Sequence, residues 1–204
     1  VMENYRRMAS ILGTDVDRMV LSYQTHTINV RTVTEADAGK GIGKERDYQD
    51  MDGLITNIPG ITLVTFYADC VPLYFVDPVH KAIGLSHSGW RGTVHRMGKA
   101  TLEAMNREYG TDPVDVVACI GPSICQDCFE VGPEVAEEFA GNFAKKYHAE
   151  LFYRKENGKY QVDLWRANQI ILNEAGIPKD QIHTTDICTR CNPEHLFSHR
   201  IMGT

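Results

Sequence analysis

The chain has 204 residues, of which 43% are apolar, so it is long enough to bury one sizeable core. Its net charge of −6 is modest and no run of Lys or Arg exceeds two residues, so we expect no binding to nucleic acid or to an anionic membrane surface. No apolar stretch approaches the roughly 20 residues that span a bilayer. We therefore expect one cytoplasmic domain that acts on small molecules, and the sequence leaves its oligomeric state open.

Apolar periodicity and turn residues predict helices that alternate with strands. In chain order, the sequence predicts a helix at 2–12, extended segments at 20–22 and 28–33, a polar loop at 39–52, strands at 61–67, 71–76 and 81–86, a helix at 92–109, a strand at 114–120, helices at 133–147 and 164–175, and an extended segment at 181–186. This alternation predicts an α/β fold, a single domain with a mixed β-sheet flanked by helices.

Two histidines and one cysteine lie where apolar segments meet loops of small residues. Cys70 directly follows a predicted strand and His87 follows the next strand but one, so adjacent strands would bring both side chains to one edge of the sheet. With His26 they offer one thiolate and two imidazoles, which leaves a fourth coordination position of a zinc ion free, as in catalytic zinc sites. The alternative is a small buried cysteine and two unrelated polar histidines.

Four of the six cysteines form two C-x-x-C pairs, Cys125 with Cys128 and Cys188 with Cys191. Without a secretory signal, cysteines are expected to be reduced thiols or metal ligands. Each pair fits one edge of a metal tetrahedron, but the gap between the pairs is much wider than in a zinc ribbon. A second, structural metal site, four reduced thiols in neighbouring loops, and a redox role all stay open.

The segment 88–93 turns from a strand into a helix and carries Arg91. Unpaired backbone N–H groups at a helix start and a guanidinium both favour phosphate or carboxylate, so this turn is a candidate anion site. The alternative is a tight turn in which Trp90 covers the core.

Several sequence blocks occur together and in a fixed order along nearly the whole chain: Gln24-Thr25-His26, Asp52-Gly53-Leu54-Ile55-Thr56, Ala68-Asp69-Cys70-Val71-Pro72, His87-Ser88-Gly89-Trp90-Arg91-Gly92-Thr93, Ile120-Gly121-Pro122-Ser123-Ile124, Phe129-Glu130-Val131, Cys188-Thr189 and Phe197-Ser198-His199-Arg200. With these blocks the chain resembles the YfiH/YlmD family, relatives of the human protein FAMIN. That family has been described as laccase-like polyphenol oxidases and as purine nucleoside phosphorylases.

The resemblance implies a YfiH-like fold, similar to that of a toxin deamidase, and zinc bound by His26, Cys70 and His87, with copper as the alternative metal. It also implies phosphorolysis of adenosine, inosine, guanosine and methylthioadenosine to the free base and ribose-1-phosphate, together with deamination of adenosine. The substrates would be a purine nucleoside and phosphate. On this basis the candidate catalytic residues are Cys70, His87, Asp69 and Arg91, and the candidate substrate-binding residues are Arg91, Gly92 and Arg200. Asp69 is either a base or a hydrogen-bonded turn carboxylate, and Ser198 and Arg200 either contact substrate or tie a loop.

Members of that family usually begin with a further segment and end with a glycine-arginine turn and a last strand. We therefore expect residues 1–204 to be a single YfiH-like domain without the extreme N- and C-terminal segments.

Three other functions stay open at this point. Cys70 could be a thiolate nucleophile with His87 as its base, in a metal-free hydrolase or deamidase. Two histidines and one cysteine also suit a blue-copper centre, hence a laccase-like polyphenol oxidase, although the sequence has no His-x-His pair of the sort used for multinuclear copper. The third is a structural zinc module without enzymatic activity, in which a fourth protein ligand completes the metal site.

Overall fold

A computed structural model describes residues 1–203, and Thr204 lies outside the described residues. The helices are α1 (Met2–Leu12), α2 (Trp90–Val94), α3 (Met97–Tyr109), α4 (Pro133–Asn142), α5 (His148–Leu151), α6 (Leu164–Glu174) and α7 (His199–Met202). The strands are β1 (Met19–Leu21), β2 (Val30–Thr32), β3 (Gly53–Thr56), β4 (Thr62–Val64), β5 (Val71–Asp77), β6 (Ala82–Ser88), β7 (Val117–Ile120), β8 (Glu130–Val131), β9 (Phe152–Arg154), β10 (Tyr160–Val162) and β11 (Ile182–Thr184). None of the helices within 1–203 is long and apolar enough to cross a membrane.

A six-stranded mixed sheet in the order β11-β7-β5-β6-β3-β2 forms the centre of the fold. The outer pairs β2/β3 and β7/β11 are parallel, whereas the pairs between them are antiparallel. Strands β1 and β4 form a separate parallel pair, and β8, β10 and β9 form a small antiparallel sheet. The predicted α/β domain with a mixed sheet and flanking helices is confirmed.

The register of β5 against β6 places two of the candidate ligands side by side. Val71 pairs with Ser88, and Pro72 pairs with His87. Cys70 immediately precedes β5, so it lies at the edge of the sheet where His87 is close to the end of the antiparallel strand.

The main core lies between this sheet and helices α3, α4 and α6. Its largest fully buried side chains include Leu73, Phe75, Met105 and Phe139. Burial of each such side chain contributes about 1.5–3 kcal/mol to folding. A second buried cluster, containing Val20, Val33, Leu54, Ile61, Leu63 and Leu85, supports β1, β3 and β4.

The prediction of one continuous helix at 92–109 was wrong, because the structure has two helices there. The backbone of Arg96 is left-handed, with φ of 65°, and divides the segment into α2 and α3. A left-handed residue interrupts the helical hydrogen-bond pattern, so the chain turns between the two helices.

The predicted helix at 133–147 was also too long. Helix α4 ends at Asn142, because Phe143 is extended and turns its buried ring onto Phe139, with 5.6 Å between ring centroids. The strands at 61–67 and 114–120 are shorter than predicted; in the second, the segment Pro113–Asp115 is a helical turn capped by Asp112.

Candidate metal centre

The structure brings His26, Cys70 and His87 together. One nitrogen of each histidine and the sulfur of Cys70 all lie within 4.8 Å of one another. The two imidazole rings meet edge to face, with centroids 5.0 Å apart, and Nε2 of His26 is 4.0 Å from the sulfur of Cys70. His87 is buried, Cys70 is half-buried and His26 is exposed, so the cluster opens toward one side.

Unusual backbone conformations position two sides of the cluster. His26 and Asp69, which directly precedes Cys70, have left-handed backbones with φ of 66° and 81°. Such values cost free energy in residues other than glycine, so surrounding interactions must hold them. The backbone N–H of His26 donates to Asp52, and the Asp69 carboxylate accepts two hydrogen bonds from the C-terminal part of the chain.

Asp52 is the functional residue that the sequence reasoning missed. Its buried carboxylate accepts hydrogen bonds from His87 Nδ1 at 2.8 Å and from the backbone of His26 at 3.0 Å. The other oxygen accepts from the backbones of Thr25 and Thr27 and from the Thr27 hydroxyl, at 2.9–3.1 Å. A carboxylate bound at Nδ1 leaves Nε2 of His87 for the cluster, the usual arrangement around a metal-binding histidine. The signal available in the sequence for Asp52 was its place as the last of several acidic residues in a polar loop, directly before β3.

The charges of the cluster are coupled. Burial opposes the protonated form of His87, but the hydrogen bonds to Asp52 and Cys70 raise its pKa to about 9. Burial and the neighbouring His87 lower the pKa of His26. Burial opposes ionisation of Asp52, but its hydrogen bonds with His87, Thr25 and Thr27 lower its pKa to about 2. Asp52 is therefore a carboxylate at neutral pH, and metal binding would release a proton from His87.

Gly89 leaves the space in which the cluster fits. A Cβ atom at this position would lie 3.0 Å from Cδ2 of His26 and 3.1 Å from the sulfur of Cys70. A thiolate with two imidazoles is a donor set that suits zinc or copper, and three protein ligands leave a coordination position for another molecule. The residues present therefore fit a bound metal ion.

A cavity of about 300 Å³ opens beside the cluster, and its lining includes His26, Cys70, Trp90, Phe129, His199 and Arg200. This volume is at the lower end of the range for small-molecule sites. The lining combines aromatic rings with a cation, and the candidate ligands form one of its walls.

Hydrogen bonds to the Asp69 carboxylate hold the C-terminal segment around Arg200. The Asp69 carboxylate accepts the Thr189 hydroxyl at 2.7 Å and the backbone N–H of Arg200 at 2.8 Å. The Arg200 guanidinium lies 5.3 Å from the Phe129 ring centroid, and the buried Ser198 hydroxyl has no hydrogen-bond partner among the described residues. Both oxygens of Asp69 are engaged, which favours its interpretation as a hydrogen-bonded turn carboxylate over that of a base.

Arg91 and Gly92 lie at the start of α2. The exposed Arg91 guanidinium stacks on Trp90, 4.3 Å from the ring centroid, and its charge contributes to the lowered pKa of His26 after burial and His87. Gly92 is buried and packs toward the backbone carbonyl of His87, since a Cβ there would be 3.5 Å from that oxygen. Arg91 is thus available to an anion near the cluster, whereas Gly92 supports the strand end.

Comparisons with known proteins show the family to which the chain belongs. The family model described as "Multi-copper polyphenol oxidoreductase laccase" matches residues 1–204. The chain is 35% identical to the "Purine nucleoside phosphorylase YlmD" of Bacillus subtilis (strain 168), over 98% of this chain and 72% of that protein. It is 39% identical to "Adenosine deaminase RL5" from an unknown prokaryotic organism, over 100% of this chain and 77% of that protein.

Among solved structures, the chain is similar to the crystal structure of the Bacillus licheniformis hypothetical protein YfiH. The TM-score is 0.92 at 34% identity, covering 98% of this chain and 75% of that chain. The resemblance to YfiH and YlmD is confirmed, and the chain belongs to the family described as multi-copper polyphenol oxidoreductase laccases.

Proposed function

We propose that this protein is a zinc-dependent purine nucleoside phosphorylase that also deaminates adenosine. Its relatives are named as purine nucleoside phosphorylases and an adenosine deaminase, and the chain shares with them an enzymatic role in nucleoside chemistry. The proposed substrates are adenosine, inosine, guanosine or methylthioadenosine with phosphate, and the proposed location is the cytoplasm. The observation that carries the proposal is a cluster of one thiol and two imidazoles beside a small-molecule cavity.

In this proposal His26, Cys70 and His87 hold the zinc ion. When bound, zinc supplies a Lewis acid with an open coordination position. Asp52 orients the ring of His87 and holds the backbone of His26, so that both side chains point into one site. Preorganised ligands need no rearrangement as charge develops during reaction, which is where such sites contribute most to catalysis.

In this proposal aromatic side chains bind the purine and cationic side chains bind the phosphate. Trp90 and Phe129 line the cavity, and in this proposal the purine packs against these aromatic side chains. Phosphorolysis requires a phosphate close to an electron-deficient ribosyl carbon, and the guanidinium groups of Arg91 and Arg200 are the cations near the cavity that suit a phosphate. Asp69 contributes as a positioning residue, because its carboxylate binds the backbone of Arg200.

Product analysis tests the proposal. We expect the protein, incubated with adenosine and phosphate, to form adenine and ribose-1-phosphate, with inosine as a side product. Cys70→Ala should abolish all three products, whereas Cys119→Ala, in β7 and outside the cluster, should leave them unchanged. If the intact protein forms none of these products but hydrolyses a thioester or amide, the proposal is wrong.

A second candidate function has one specific observation in its favour. The thiol of Cys70, the imidazole of His87 and the carboxylate of Asp52 follow the order of a nucleophile, a base and an orienting acid. A metal-free hydrolase built on these three residues would not need His26. Retention of activity in His26→Ala would favour this hydrolase, and its loss together with the metal would favour the phosphorylase.

Copper polyphenol oxidase is the third candidate, and the description of the family favours it. Within residues 1–203, the groups able to hold a metal are the cluster of two histidines and one cysteine and a cluster of four cysteines. The first suits a single copper ion rather than a multinuclear centre. Oxidation of a phenol at a rate proportional to copper content, without nucleoside cleavage, would favour this function.

A further inference from the structure

A second group of side chains able to bind metal lies apart from the site described above. The sulfur atoms of Cys125, Cys128, Cys188 and Cys191 all lie within 4.8 Å of one another. The sulfur atoms of Cys128 and Cys191 are 3.5 Å apart. The structure thus brings both C-x-x-C pairs into one four-cysteine cluster, despite the long stretch of chain between them.

The distances in this cluster suit a metal ion better than a disulfide. A disulfide bond has an S–S length of about 2.05 Å, well below the separation of Cys128 and Cys191. Around zinc, Zn–S bonds of about 2.3 Å arranged as a tetrahedron place sulfur atoms about 3.8 Å apart. The sulfur atoms of the cluster, 3.5 Å apart in one pair and within 4.8 Å in all, are therefore close to the spacing that zinc coordination requires.

Neighbouring donors also suit thiolates. The backbone N–H of Cys125 donates to the sulfur of Cys188 at 3.4 Å, and the guanidinium of Arg190 donates to the sulfur of Cys128 at 3.4 Å. Hydrogen bonds from N–H groups to ligand atoms are typical of the surroundings of metal sites, because they orient the ligand and offset its charge.

We propose that Cys125, Cys128, Cys188 and Cys191 bind a structural zinc ion, separate from the candidate metal centre. Four sulfur ligands complete the tetrahedron, so this ion has no open position and does not itself react with substrate. The inference does not depend on the proposed nucleoside chemistry, because the four cysteines are distinct from His26, Cys70 and His87.

The zinc ion would fasten one wall of the substrate cavity. Cys128 precedes Phe129, which lines the cavity, and Thr189 lies between the two cysteines of the other pair and donates to Asp69. The segment between β11 and α7 is held by few backbone hydrogen bonds, among them those that join Ser123 to Ile187 and Thr189. A metal cross-link restricts this segment and so holds the Thr189 hydroxyl where it donates to Asp69.

Metal content tests this inference on the whole chain, purified under reducing conditions. We expect two zinc ions per chain in the unaltered protein and in the control variant Cys119→Ser, and one in the double variant Cys128→Ser/Cys191→Ser. His26→Ala should also retain one zinc ion, at the four-cysteine cluster. Unchanged zinc content in the double variant would overturn the inference.

X-ray absorption at the zinc edge of the His26→Ala variant gives a second test that does not require the double variant to fold. The inference predicts a first shell of sulfur only. Nitrogen or oxygen in that shell, iron in place of zinc, or a Cys128–Cys191 disulfide in protein purified without oxygen would each overturn it. The adenosine assay is independent of these readouts, so a failure here is distinguishable from a failure of the proposed function.

Discussion

Asp52→Asn is the substitution that most directly tests the account of how the cluster is held. The change is nearly isosteric and removes the negative charge. In the wild-type protein one carboxylate oxygen accepts from the His26 backbone and His87 Nδ1, and the other accepts from Thr25, Thr27 and the Thr27 hydroxyl. An asparagine must place its NH₂ group at one of these positions, opposite at least two N–H donors.

The magnitude follows from the bonds that are lost. Each hydrogen bond to a charged group contributes about 1.5–3 kcal/mol, so the loss of two lowers the free energy of unfolding by about 3–6 kcal/mol. This is a large fraction of the roughly 5–15 kcal/mol that stabilises a typical domain. Where the NH₂ group faces His87, the imidazole avoids the clash by giving up the proton on Nδ1 and keeping one on Nε2, which takes that nitrogen away from the metal. We therefore also expect zinc affinity to fall about 10–100-fold.

Urea unfolding of metal-free protein and zinc titration against a competing chelator measure the two effects. Asp50→Asn is the matched control, because Asp50 is exposed and its left-handed backbone tolerates asparagine. We expect the control to stay within about 0.5 kcal/mol of the wild type. An Asp52→Asn protein with wild-type stability and wild-type zinc affinity would refute the reasoning.

Substitutions at Gly89, Asp37 and Phe139 test the space around the cluster, a buried ion pair and the main core. Gly89→Ala should weaken zinc binding, because the new methyl group forces His26 or Cys70 to move by a few tenths of an ångström. The control is Gly141→Ala, because a methyl group there has no atom within 4 Å. Equal zinc affinities of the two variants would contradict the prediction. Burial opposes ionisation of Asp37, but its hydrogen bonds with Lys40, Thr34 and Arg31 hold its pKa well below the ordinary 3.8. The ionised carboxylate therefore stabilises the folded protein above pH 3.8, and this contribution to the free energy of unfolding is lost progressively as the pH falls below 3.8. Urea unfolding at neutral pH and at about pH 3 should show a smaller loss of stability in Asp37→Asn than in the wild type, and an equal loss would be contrary to this assignment. Phe139→Ala should lower the free energy of unfolding by about 3–5 kcal/mol, because removal of its fully buried ring leaves a cavity. Phe197→Ala, at an exposed position, should lower it by less than about 1 kcal/mol. Similar losses in the two variants would argue against the described core.

Much of the fold was predictable from local patterns. Helix α1 and strands β5 and β6 were located within two residues of their ends, because alternation of apolar and turn residues marks them clearly. The left-handed Arg96 and the inward turn at Phe143 were not predictable, since both depend on contacts with residues distant in sequence. Strand β3 also escaped the prediction, although its four residues are all buried.

Two of the candidate ligands, Cys70 and His87, could be placed together from the predicted ends of strands, whereas the residues that support the cluster could not be predicted. Cys70 and His87 lie where the register of β5 and β6 places them, as the sequence reasoning expected. The role of Asp52 depends on its position opposite a loop some 25 residues away, which no local pattern reveals. Likewise, only the folded chain shows that the two cysteine pairs meet.

The metal dependence of adenosine phosphorolysis is the most direct test of the central claim that His26, Cys70 and His87 form a catalytic zinc site. The protein is first stripped of metal with a chelator and then titrated with zinc while adenine formation is followed. The account predicts that the metal-free protein forms no adenine, that zinc restores the reaction, and that His26→Ala stays inactive at every zinc concentration. Full adenine formation by the metal-free protein, or by His26→Ala, would contradict it.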